Sequence, residues 1–222
     1  MCTGFTLQLM WPELRDTMNL LDDEAPEGFD APRCAIVSGQ RAVVIRADRD
    51  THDRRADMMR WGLAPRSSRD PSKGPIHAPI EAGAEKPMFR DAMAKRRCIV
   101  PATGYFAWQA GEGSRAPKVL WCIEPEGAAG RVLAFAGLWE SHPEVGQTFC
   151  IMTTVPNALT APIDDRMPVV LTPAQWDEWL ADGPVRFDAA APFPAACLRA
   201  RRVVKAMEHN DAAVVGGPES GV

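Results

Sequence analysis

One tyrosine in 222 residues, no two cysteines at C-x-x-C spacing, and no apolar run near the roughly 20 residues of a membrane span: the chain is first marked by what it has little of. The last of these gives no expectation of a membrane partner. The six cysteines, Cys2, Cys34, Cys98, Cys122, Cys150 and Cys197, stand apart, and no histidine falls near a pair of them. A zinc knuckle is therefore excluded, and neither a metal nor another cofactor is expected. The N-terminus lacks the basic stretch, apolar core and cleavage site of a secretion signal, so a cytoplasmic chain with reduced thiols is the simplest expectation. Cys98 and Cys150 lie in the apolar runs 98–100 and 149–152 and are expected in the core. With 46% hydrophobic residues and a net charge of -4, the composition is not that of a disordered chain. The length is ample for one large core. Twenty prolines and seventeen glycines predict many turns and few long helices.

The charges are segregated. Residues 1–32 carry seven acids against one base, Arg15, whereas Lys86 to Arg97 holds five bases and one acid. A second cluster, Arg199, Arg201, Arg202 and Lys205, contains no acid. Two basic patches on a mildly acidic protein suggest a local anionic ligand, although each also reads as a solvated face.

Pro12 with Leu14, Met18 and Leu21 predicts a short amphipathic helix, and the acidic, proline-bearing segment 22–32 a loop. Arg41 to Arg46 reads as a strand and the polar run 47–57 as its turn. Residues 65–87, with five prolines, read as a long loop of the kind that serves binding sites. Pro87 to Arg97 has helical spacing, with Phe89 and Met93 on one face and bases on the other. Segments 118–123, 131–139 and 148–153 read as antiparallel strands. Thr172 and Pro173 open a helix that turns Trp176, Trp179 and Leu180 inward. Strands and short helices mix without a βαβ rhythm, which predicts an α+β fold: a single domain over 1–222, frayed from about residue 212.

Six short motifs then combine. They are Met1-Cys2; Trp61-Gly62-Leu63-Ala64-Pro65; Glu81 to Arg90; Arg97-Cys98-Ile99-Val100-Pro101; Gly104-Tyr105-Phe106-Ala107-Trp108; and Asp165-Arg166-Met167-Pro168 with the valines that follow. In this order and spacing the chain resembles the SRAP family, the SOS-response-associated peptidases or abasic-site processing proteins, from Cys2 to about residue 211. The resemblance implies an antiparallel, barrel-like core flanked by short helices. It also implies a chemistry anchored on Cys2. Once Met1 is removed, the α-amine and thiol of Cys2 condense with the ring-opened aldehyde of an abasic site in single-stranded DNA, first as a Schiff base and then as a thiazolidine.

The resemblance is weakest around the site. Where the family carries Asn-Ala-Arg, this chain has His77-Ala78-Pro79. Ala107 stands in place of a Glu, Asp164 in place of a His, and Thr3-Gly4 in place of Gly-Arg. Schiff-base chemistry needs protons moved on and off nitrogen and oxygen. Ala107 offers none, and Asp164 has a reference pKa well below that of histidine. His77 is the candidate to supply the imidazole, titrating near its ordinary value of about 6.5 or above it if Asp164 or Glu81 orients it. The competing reading is a surface histidine in a proline-rich loop. The catalytic candidates are thus Cys2, His77, Asp164 and Glu81. For DNA the resemblance implies Trp61 and Trp108 as aromatic faces for unpaired bases and Arg166 as a phosphate or site-orienting contact. The scarcity of balancing acids makes Arg90, Arg96 and Arg97, on the helix leading toward the site, candidates as well. Core packing is the alternative for both tryptophans.

Three functions from different classes follow. One is a crosslinker of abasic single-stranded DNA; the second is a binding module that keeps the fold and the groove without efficient chemistry; the third is a peptidase, for which no independent triad or metal motif is present. The sequence is silent on oligomeric state, and a monomer is the simplest expectation.

Overall fold

Thirteen strands and three short α-helices build the protein in a computed structural model that describes residues 2–203 apart from 31, 112–115 and 128–129. Met1, Lys205 and the tail beyond residue 212 lie outside the described residues. In chain order the elements are β1 (Gly4–Leu7), α1 (Trp11–Met18), β2 (Arg33–Val37), β3 (Arg41–Ala47), β4 (Arg54–Trp61), β5 (His77–Pro79), α2 (Pro87–Lys95), β6 (Arg97–Ala102), β7 (Gly104–Gln109), β8 (Val119–Pro125), β9 (Leu133–His142), β10 (Gly146–Thr154), β11 (Met167–Pro168), β12 (Val170–Leu171), α3 (Trp176–Leu180) and β13 (Leu198–Arg202).

Strands β10, β4, β3, β6 and β9 pair in that order, and β9 pairs back onto β10, closing a five-stranded barrel. Closure removes exposed sheet edges. A second, antiparallel sheet of order β13-β8-β7-β1-β2 packs beside it. Strand β10 is the hinge of the architecture. It runs parallel to β4 through Phe149↔Trp61, then parallel to β5 through Ile151↔His77, and ends antiparallel to β11 at Thr153↔Pro168. The fold is α+β.

Alternation along β7 sorts side chains between two clusters. Tyr105 and Ala107 join the main core, which draws on both sheets, while Phe106 turns to a satellite cluster with Leu120 and Cys122. This is the period-2 behaviour of a strand covered on both faces.

Several boundaries differ from the sequence reading. Helix α1 buries Trp11, Leu14 and Met18 but stops at Asn19, whose left-handed φ of 53° ends it. Leu21 therefore falls off the helix and is exposed, and Leu20 is buried instead. Strand β4 starts inside the polar run read as a turn. Its charges pair across to the neighbouring strand and turn, Arg46 with Asp57 at 2.5 Å and Arg55 with Asp48 at 3.1 Å. Helix α2 ends at Lys95, so Arg97 opens β6 rather than lying on a helical face. At the other end of the chain, Gln175 accepts from the Thr172 backbone N–H and hydroxyl, and Trp176, Trp179 and Leu180 are buried.

Candidate functional site

Cys2 is fixed at the edge of β1. The neighbouring Thr3 N–H donates to the Phe106 carbonyl at 2.9 Å, which registers the start of the chain against β7. The Cys2 side chain is only 2% exposed and donates from Sγ to the Gly4 carbonyl at 3.2 Å. Burial pushes its thiol up to about 12, against a smaller downward pull from that hydrogen bond. At neutral pH the sulfur is a thiol, not a thiolate.

His77 reaches the same region from β5. Trp61 holds it there: the indole N–H donates to the Ile76 carbonyl at 2.9 Å, and the ring lies edge-on to His77 at 5.9 Å. Trp61 itself stacks on Phe149 at 6.3 Å and meets Phe5 edge-on at 5.3 Å. His77 is buried; among the described residues neither ring nitrogen has a partner at good hydrogen-bond geometry, although the Cys2 backbone lies close enough to act on it. Burial drives its pKa down to about 4, a shift that the Asp164 carboxylate and the Cys2 backbone oppose without reversing. The imidazole is thus neutral at physiological pH, well below the value of 6.5 or more expected for an oriented base.

Asp164 sits at the end of a loop braced by Asn157, whose Oδ1 accepts from the backbone N–H groups of Leu159 and Thr160 at 3.0 Å each. The Asp164 N–H donates to the Thr160 carbonyl at 2.9 Å, and Gln109 on β7 donates to the Pro162 carbonyl at 2.8 Å. Burial raises the Asp164 pKa, but hydrogen bonds to the carboxylate, among them those of Asp165 and Arg166, outweigh it and leave the group below its usual value. Its negative charge acts on Cys2, His77 and Tyr105 alike.

Glu81 does not orient His77. Both of its oxygens accept from Arg166, at 3.1 and 2.8 Å, and Arg166 also donates to the Thr153 carbonyl at 2.6 Å. Hydrogen bonds from Arg166 hold the Glu81 carboxyl below its usual range. The pair ties the turn after β5 to the segment that opens β11.

The structure therefore brings Cys2, His77 and Asp164 together, with Glu81 and Arg166 as a clamp beside them. It does not gather the DNA-contact candidates into one face. Trp61 has no exposed surface, so its ring cannot stack on a base; packing against Phe5, Phe149 and His77 explains its burial. Arg97 is also buried, donating to the carbonyls of Trp179, Met93, Gly183 and Ala181, and it is a structural residue. Arg96 pairs with Glu140 at 2.6 Å with little exposure on either side. Trp108 remains 40% exposed and Arg90 largely so. The second basic cluster is partly neutralised, since Arg199 and Arg201 both pair with Glu124.

One residue that the sequence reading left unassigned lies beside the site. Buried Tyr105, in electrostatic contact with Cys2 and Asp164, has a hydroxyl with no partner among the described residues, as has Thr153 on β10. A signal for Tyr105 was present: it is the chain's one tyrosine, two positions before Ala107 on a strand. Among the described residues no group of three or more His, Cys, Asp or Glu side chains could hold a metal ion, and no helix is long and apolar enough to cross a membrane.

Comparison with known proteins bears on the family and the fold. The model of the family described as SOS response associated peptidase (SRAP) matches residues 1–210. The abasic site processing protein YoqW of Bacillus subtilis (strain 168) is 34% identical over 186 residues, covering 81% of this chain and 80% of that protein. The abasic site processing protein HMCES of Xenopus tropicalis is 31% identical over 185 residues, covering 72% of this chain and 54% of that protein. A crystal structure of a Bacteroides thetaiotaomicron protein, 24% identical, superposes with a TM-score of 0.75 over 91% of this chain and 92% of that one, which shows a shared fold. From Cys2 to the last described strand, this chain belongs to the SRAP family.

Proposed function

We propose that the protein processes abasic sites, binding them in single-stranded DNA and trapping the ring-opened aldehyde through Cys2 as a thiazolidine. The observation that carries this reading is the placement of Cys2 beside two buried polar side chains, His77 and Tyr105, whose ring nitrogens and hydroxyl find no side-chain partner among the described residues. Buried polar groups are nearly always paired, and orphans cost free energy that folding alone does not recover. A polar ligand entering beside Cys2 would satisfy them.

The mechanism follows from the protonation states. Removal of Met1 turns the Cys2 backbone nitrogen into an α-amine, with an ordinary pKa of about 7.7–8.0. The amine is then the first nucleophile, because the thiol stays protonated. Neutral His77 accepts the proton released as nitrogen bonds to the aldehyde carbon, and Asp164 stabilises the imidazolium that forms. Loss of water gives the Schiff base. The thiol then adds to its carbon and passes a proton to nitrogen, closing the ring. Trp108 and Arg90 offer exposed aromatic and cationic surface for the flanking strand.

Incubation with single-stranded DNA bearing one abasic site should give a band of retarded mobility that survives denaturation, absent for Cys2→Ser. Intact mass checks beforehand that Met1 has been removed. A second reading, binding without efficient chemistry, draws support from the burial of Cys2 and the low basicity of His77. It predicts retained affinity for the same DNA and no such band.

A further inference from the structure

Tyr105 is 1% exposed, and its hydroxyl has no hydrogen-bond partner among the described residues. A buried tyrosine ordinarily finds one for its hydroxyl. Phenylalanine would fill the same volume without desolvating an oxygen, as Phe5 does directly across the β1–β7 pairing. The ring is fixed: it meets Phe135 edge-on at 5.8 Å and 83°, so the hydroxyl direction is set by packing.

Cys2 lies within electrostatic reach of Tyr105, and the hydrogen bond from the Thr3 N–H to the Phe106 carbonyl seats the start of the chain beside it. Tyr105 shares its face of β7 with Ala107, and both lie in the cluster that contains Cys2, whereas Phe106 between them does not. Ala107 carries only a methyl group, about 7 Å along the strand, and Gln109, next on that face, is already engaged by the Pro162 carbonyl and the Trp121 indole. Burial, followed by the charges of Cys2 and Asp164, drives the Tyr105 pKa upward. The hydroxyl is therefore a donor throughout the working pH range.

We propose that the Tyr105 hydroxyl is the donor to the aldehyde oxygen during capture at Cys2, a catalytic role that rests on the aldehyde-trapping function above. As nitrogen bonds to the aldehyde carbon, the C=O π pair moves onto oxygen. Tyr105 donates to that oxygen, which gains a proton, while His77 takes one from the amine and returns it to restore the tyrosine. A second proton transfer from nitrogen to oxygen releases water and leaves C=N. The thiol adds across C=N, sulfur to carbon and proton to nitrogen. The sum is aldehyde plus aminothiol giving thiazolidine and one water, with Tyr105 protonated at the end as at the start.

The test compares the parent with Tyr105→Phe, both lacking Met1, using two aldehydes: abasic single-stranded DNA and free glycolaldehyde. Adduct formation is followed by mass and folding by thermal midpoint. Tyr105→Phe should slow capture of both by about 10²-fold, in the range for loss of one donor to a developing oxyanion, and the loss should be constant between pH 6 and pH 9. Its thermal midpoint should match or exceed the parent's, because an unpaired buried hydroxyl has gone. A parental rate overturns the proposal, as does a rate loss that comes with a lower midpoint. Slowing with DNA alone also overturns it, since the hydroxyl would then contact the strand and not the reacting oxygen. Slowing with glycolaldehyde, with neither protein trapping abasic DNA, upholds the role of Tyr105 and overturns the DNA reading. A parent inert to both aldehydes overturns both.

Discussion

Two buried polar clusters lie in the same core and are treated in opposite ways. The Arg97 side chain is fully engaged: the guanidinium reaches four carbonyls, lies over the Trp179 ring at 5.5 Å, and the Trp179 indole donates to the Cys98 carbonyl at 2.8 Å. Around Cys2 polar groups are left open among the described residues, at both ring nitrogens of His77 and the hydroxyl of Tyr105. The first cluster ties α3 and the turn after it to β6, and its hydrogen bonds return the cost of burying a charge. The second keeps that cost unreturned at the place where a ligand must be received. A satisfied network specifies structure, and an unsatisfied one marks where stability has been given up for function.

The comparison can be broken most sharply at Arg97. Arg97→Met should destabilise the protein by about 3–5 kcal/mol in urea denaturation, since buried carbonyls lose their charged donor. A loss below about 1 kcal/mol would show that the cluster does not hold α3 to the barrel.

Next in size is the pH dependence set by His77. Its folded pKa of about 4 lies below the ordinary 6.5, so between those values the unfolded chain binds a proton that the folded one refuses. Stability attributable to this residue is complete above about 6.5 and is lost as pH falls to about 4, to the extent of about 3 kcal/mol. His77→Asn should lack that component, so the difference in stability between parent and variant should shrink or change sign as pH falls from 6.5 to 4. Parallel profiles would place the imidazole in contact with water.

The smallest effect is expected at the clamp. Glu81→Gln should cost no more than about 1 kcal/mol, because the Glu81 side chain is 51% exposed and such pairs are screened. It should nevertheless alter the rate of adduct formation, as it frees Arg166 beside Asp164. Equal rates would make the clamp a surface pair only.

Much of this was legible in the sequence. Apolar periodicity located α1, β3, β8, β9 and β10, and the family motifs located Cys2. What escaped has physical reasons. Strand β4 opens Arg54-Arg55-Ala56-Asp57, and charges that pair across strands on an outer face look locally like a turn. Strand β5 has three residues ending in proline, and it exists because β10 offers a free edge, which no local pattern announces. Arg97 reads as one more base of a helical run, but Arg96 leaves helical geometry with φ -137° and ψ 52°, and the next residue enters the barrel. The basic patch was a property of the sequence that the fold dispersed. Tyr105 was hidden for the opposite reason: its partnerless hydroxyl is visible only once its surroundings are known.

The most direct test of the account is the intact mass and peptide map of the product formed with abasic single-stranded DNA. The account predicts one adduct, lighter than the sum of protein and DNA by a single water, mapping to the N-terminal peptide, with Cys2 carrying the bond to the abasic carbon. An adduct on a lysine, an adduct that persists in Cys2→Ser, or DNA bound tightly with no adduct at all would contradict it.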